Sequence, residues 1–150
     1  VVSRLRPGEE AAPWLERVAR LAPGAILGAG RHRVIGVRAL EGEPPVAGAR
    51  VEVASATGNP AAVAASAGEA GLRVEAMRTW RDHHWFTSRE AAALAARARE
   101  RGAWVLLTAK DAVRWPADAP RSRVAVLTVE WEWVCGGERI ERVALGEGEA

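Results

Sequence analysis

Tyrosine is missing from the 150 residues, and cysteine, methionine, phenylalanine and lysine occur once each. The single cysteine, Cys135, rules out an internal disulfide and fits a reducing compartment. No apolar run approaches the about 20 residues that a membrane-crossing helix needs. The sequence also lacks G-x-x-x-x-G-K-[ST], so it holds no phosphate-cradling loop of that type. It lacks the spaced His and Cys ligands of a zinc site. With 21 basic against 19 acidic residues the net charge is only +2, too small a bias to indicate nucleic acid as a partner. The only lysine, Lys110, stands among arginines, and the only methionine is Met77.

The chain is 49% hydrophobic and long enough for one domain with its own core. It opens on Val1-Val2-Ser3, which reads as the end of a strand, so it is expected to be the later part of a longer protein. Helical spacing of Trp14, Leu15, Val18 and Leu21 predicts a first helix over residues 7–21, ended by Pro23-Gly24. Short strands are predicted at 25–27 and 33–40, ahead of the turn-rich stretch 41–48, the best candidate for a domain boundary. A regular alternation follows: strand 51–55, helix from Pro60 to 71, strand 72–77, helix 88–101, strand 104–107, a capped helix start at 108–114, and strand 124–133. In that last strand Leu127, Val129, Trp131 and Trp133 alternate with polar residues, and Gly136-Gly137 is expected to turn it into a hairpin.

Strand and helix repeated at this spacing predict a three-layer, Rossmann-like α/β fold with a mostly parallel sheet and an antiparallel strand or hairpin at its C-terminal end. In a parallel sheet every strand-to-helix loop opens at the carboxyl ends of the strands, where such folds bind ligands. Three loops are thereby expected on one rim. In "TGNP" (57–60), Asn59 and Pro60 start a helix, and the same N–H groups could receive an anion, with Gly58 allowing close approach. In "RDHHWFTSRE" (81–90), Thr87 and Glu90 form a capping box. Asp82, His83 and His84 lie just before it, outside any packing requirement. A histidine titrating near neutral pH beside a carboxylate suits a general base or a metal ligand. Against metal stands the absence of further ligands, including the Asp-x-Asp that accompanies an Asp-His-His motif in phosphoesterases. In "TAKD" (108–111), Thr108 and Asp111 read as a cap and a first-turn acid, whereas Lys110 opposes the helix dipole and suits a phosphate. Trp80 and Trp85 flank the histidines and could stack on a sugar or meet a membrane surface; His32, between two arginines, reads as solvated.

In this order, Gly58-Asn59-Pro60, then Asp82-His83-His84 with Phe86-Thr87 and Glu90, then Thr108 with Lys110 to Arg114, the chain resembles the C-terminal half of the tetraacyldisaccharide 4′-kinase family, the lipid A 4′-kinases of Gram-negative bacteria. The resemblance is most secure over residues 51–133. It implies a fragment of a P-loop kinase fold, with residues 1–47 as the tail of an N-terminal kinase lobe and a two-stranded linker, and 48–150 as a smaller C-terminal α/β lobe. It implies transfer of the ATP γ-phosphate to the 4′-hydroxyl of a phosphorylated, acylated glucosamine disaccharide, peripherally at the cytoplasmic face of the inner membrane. ATP and Mg²⁺ would be held mainly by the N-terminal lobe, which would also meet the membrane, so these residues alone are expected to be inactive. His83 with Asp82 would be catalytic; Gly58, Asn59, His84 and Lys110 would bind substrate. Three positions depart from the family pattern: Ala109 where glutamate is usual, Thr57 where isoleucine is common, and Trp85 in place of proline. A different reading of the same rim is a stand-alone, non-catalytic α/β module that binds a phosphorylated ligand at its strand ends.

Overall fold

The caps named above do set the elements. In the computed structural model, which describes residues 1–6 and 8–146, Asn59, Thr87 and Thr108 each accept a hydrogen bond from the first turn of the helix that follows. The order is α1 (Ala12–Leu21), β1 (Ala29–Ala39), β2 (Arg50–Ser55), α2 (Pro60–Glu69), β3 (Arg73–Thr79), α3 (Ser88–Glu100), β4 (Trp104–Thr108), α4 (Ala109–Val113), β5 (Val124–Cys135) and α5 (Gly137–Ala144).

The sheet runs β1-β5-β4-β2-β3. β2 is parallel to both β3 and β4, and β4 is parallel to β5. The antiparallel member is β1, as its side-chain pairs with β5 show: Arg31 with Glu132 and Arg33 with Glu130. By residue contacts the chain divides into two units, Val1–Arg33 with Glu130–Ala150, and Val34–Val129. The Pro/Gly stretch 41–48 lies within the second.

In the second unit side-chain alternation along central strands feeds two cores. Val51, Val53, Leu106, Ala125 and Leu127 pack with Ala67 of α2. Ala54, Val105, Leu107 and Val124 pack with Ala91, Leu94 and Ala98 of α3. Helices therefore cover both faces, as the three-layer reading requires. Val105, Leu106 and Leu107 are all fully buried, the continuous apolar run of a strand covered on both sides. Two buried polar residues on β2 break that rule, Glu52 and Ser55, the latter with its Oγ 2.9 Å from Thr57 Oγ1. Glu52 on β2 is buried beneath α3, where Arg97 binds it with Nε 2.9 Å from Oε2 and with a second contact from Nη2, and Arg78 Nε approaches to 3.3 Å.

Three expectations are corrected. The helix expected over 7–21 begins only at Ala12, since Gly8 at φ +76° lies outside helical geometry; Pro7 lies outside the described residues. Residues 25–27 form no strand. A single strand from Ala29 to Ala39 takes their place, and a Cβ on its Gly30 would collide with the Trp131 indole. Gly136-Gly137 starts a helix instead of a hairpin. Gly136 turns the chain at φ +71°, and Glu138 in the first turn and Arg142 in the last then match the helix dipole of α5.

Candidate functional site

The three loops expected on one rim are stitched together there by backbone. Trp80 N donates to Ser55 O (3.0 Å) and His83 N to Ala56 O (3.2 Å), which ties the end of β3 to the end of β2. Ala56 N in turn donates to Asp111 Oδ1 (3.2 Å), which ties β2 to the start of α4. Gly58 closes the contact: a Cβ there would lie 3.6 Å from Asp82 Oδ2. Asp111 is the knot. It is fully buried, accepts from Thr108 Oγ1 (2.8 Å) as well as from Ala56 N, and has Arg114 Nη1 at 3.8 Å. A buried carboxylate without such donors would be costly, so its partners are what permit its place.

The adjacent histidines have different surroundings. His83 sits at φ +64°, in the left-handed region unusual for a side chain with Cβ. Its N–H also meets Asp82 Oδ1 (3.0 Å), and its ring is 78% exposed. Nε2 lies 3.8 Å from Asp82 Oδ2, and Arg114 Nη2 lies 3.0 Å from Nδ1. His84 is only 25% exposed, stacked on Trp80 at 5.9 Å and edge-on to Phe86. Its Nε2 lies 3.1 Å from Glu90 Oε2.

Glu90 closes that inner cluster. Through the capping box it accepts from Thr87 N (2.8 Å), and beyond that from Thr87 Oγ1 (2.9 Å), His84 Nε2 and Trp80 Nε1 (3.1 Å). These donors, the Thr87 N–H first, hold its carboxyl down at about 2. The ionised carboxylate can only accept, so His84 Nε2 is the donor.

Of the residues singled out in the sequence, Gly58, Asp82 and His83 meet at the rim. Asn59 spends its side-chain oxygen on Ala62 N (3.2 Å) at the head of α2. Lys110 is exposed on α4 and makes no ion pair among the described residues. His84 and Trp80 hold each other, while Trp85 is exposed. The sequence reading named Arg114 only as the end of the third motif and Asp111 only as a first-turn acid; their contacts to His83 and Ala56 escaped it. Their spacing of three residues on a helix start was the only local signal. Among the described residues no group of three or more His, Cys, Asp or Glu is placed to hold a metal ion. The rim offers one exposed imidazole beside a carboxylate, a helix N-terminus and the Arg114 guanidinium, a set suited to proton transfer next to an anion.

The family model described as tetraacyldisaccharide-1-P 4′-kinase matches residues 9–144. The tetraacyldisaccharide 4′-kinase of Paramagnetospirillum magneticum is 42% identical over 86 residues, 57% of this chain and 26% of the relative. That of Anaeromyxobacter sp. strain Fw109-5 is 32% identical over 134 residues, 87% of this chain and 34% of the relative. A crystal structure of LpxK from Aquifex aeolicus in complex with ATP superposes with a TM-score of 0.42 at 13% identity, covering 84% of this chain and 39% of that one. The chain thus spans about a third or less of the relatives' length. On the match across nearly all of its residues, it belongs to the tetraacyldisaccharide-1-P 4′-kinase family.

Proposed function

We propose that these residues are the C-terminal part of a kinase that transfers the ATP γ-phosphoryl group to the 4′-hydroxyl of a tetraacyldisaccharide 1-phosphate in lipid A biosynthesis. The observation that carries the reading is that the three ordered motifs of the resemblance, which lie inside the span 9–144 of the family match, have their loops tied together beside an exposed His83. In the transfer, the hydroxyl oxygen bonds to the γ-phosphorus, the bond from that phosphorus to the ADP oxygen breaks, and the hydroxyl proton leaves. His83, with Asp82 beside it, takes part in removing that proton together with an acidic residue of the preceding lobe. Gly58, Asn59, His84 and Lys110 shape the substrate side of the cleft. Such a reaction rests on positioning and charge neutralisation more than on covalent chemistry.

ATP and Mg²⁺ belong, in this reading, to the lobe that precedes these residues. The chain carries no G-x-x-x-x-G-K-[ST] and, among the described residues, no cluster of metal-ligating groups, so no step is assigned to either through this part. Action on an acylated disaccharide puts the intact protein at the cytoplasmic face of the inner membrane as a peripheral enzyme. No helix among the described residues is long and apolar enough to cross a membrane. The test is His83→Ala in the longer protein, assayed for transfer to the 4′-hydroxyl. A severe drop in kcat with little change in ATP binding is expected, and an unchanged kcat would remove His83 from the chemistry.

A further inference from the structure

We infer that Arg114 is a positioning residue for His83: its guanidinium, anchored by the buried Asp111, fixes the histidine's orientation and its Nε2-protonated tautomer. The inference rests on the reading of His83 as the reacting histidine, and it adds a residue to which nothing above gave a role.

An arginine keeps its proton in proteins and has only donors, so at 3.0 Å from Arg114 Nη2 the Nδ1 of His83 must be the acceptor. The proton of the neutral ring then sits on Nε2, the nitrogen that faces Asp82 Oδ2 at 3.8 Å. The arginine is itself held. Its side chain is 14% exposed, and Nη1 lies 3.8 Å from Oδ1 of Asp111, which is fixed by Ala56 N and Thr108 Oγ1. The His83 backbone is set independently by its N–H bonds to Ala56 O and Asp82 Oδ1. What those bonds leave free is rotation of the ring about χ1 and χ2, and on an exposed side chain the Arg114 contact restricts it.

A direction of proton movement follows. Held this way, the ring offers an N–H at Nε2. To accept a proton there it must first release Arg114 and carry its own proton on Nδ1. Arg114 therefore sets which ring nitrogen is open to a substrate.

The test is imidazole ¹⁵N NMR of the ligand-free 150-residue chain, histidine-labelled and held at about pH 8.5, above the ordinary histidine range. The three histidines are assigned by single glutamine replacements. His83 is expected to show one tautomer, protonated at Nε2, with no detectable Nδ1-protonated share. Arg114→Met should raise that share severalfold, and Arg114→Lys, which keeps a donor, should restore most of the wild-type pattern. Mixed tautomers or an Nδ1–H in the wild-type chain would overturn the inference even if Arg114→Met failed to fold. An unchanged spectrum in a folded Arg114→Met chain would overturn it as well. Because no turnover is measured, this outcome is independent of the His83→Ala kinetics that decide the kinase reading.

Discussion

His84 donates from Nε2 to Glu90 Oε2 at 3.1 Å, so one residue of the Asp-His-His motif is built into the head of α3. The carboxylate at the centre of that arrangement sets an acid limit. Its folded value of about 2 lies below its ordinary 4.5. A depressed carboxylate contributes stability that is fully present above the unfolded value and is lost as pH falls through the folded one. Glu90→Gln keeps the shape but loses the charge-assisted part of the bonds, about 1 kcal/mol at neutral pH. That corresponds to about 2–4 °C in Tm for a chain of this size. Thermal melts should show this gap narrowing from about pH 4.5 downward and nearly closing by about pH 2. A gap independent of pH would contradict the depressed carboxyl.

The two histidines should separate cleanly on substitution. His83→Ala removes an exposed ring and should leave Tm within about 1 °C, the ordinary result at a surface position. In the proposed longer kinase the same change should lower kcat about 10²–10⁴-fold, the usual worth of a positioned acid or base. His84→Ala removes a stacked, hydrogen-bonded ring and should cost about 1–2 kcal/mol of stability. Differential scanning fluorimetry and steady-state kinetics on both variants would settle the division. Equal thermal losses would refute it.

Glu52 and Arg97 offer a test remote from the rim. Removing the carboxylate by Glu52→Ala strands a part-buried guanidinium whose own pKa is already lowered by desolvation. The expected loss is about 3 kcal/mol, measured by urea unfolding. Replacing both partners by leucine should recover much of it, because apolar side chains need no compensating charge. A double replacement as unstable as Glu52→Ala would show that the pair adds net stability.

What was legible from the residues follows the range of the interactions. Asn59, Thr87 and Thr108 announce their helices because a cap acts over three residues, and the repeat they punctuate was enough to expect a shared rim. Gly136-Gly137 was misread because a left-handed glycine can precede a hairpin or a helix with equal ease. The charges that match a helix dipole, Glu138 in the first turn and Arg142 in the last, lie beyond the glycine pair. Nothing local marked Glu52 as a buried charge, since its partner Arg97 is 45 positions away. Arg114 lies 31 positions from His83, and no local pattern connects them. Three-residue signals could therefore place the loops, while the contacts that join one loop to another became visible only in the folded chain.

The last prediction concerns these 150 residues on their own. Phosphoryl transfer needs the phosphates cradled and their charge neutralised before any base matters. Here the rim supplies Arg114 but no Gly-rich loop, and Arg114 is engaged by Asp111 and His83. Incubation with ATP, Mg²⁺ and the disaccharide phosphate should give no ADP above the protein-free blank, and titration calorimetry with a non-hydrolysable ATP analogue should show no saturable heat. Turnover by the isolated chain would mean that its own rim binds the nucleotide, and the assignment of ATP to a preceding lobe would have to be withdrawn.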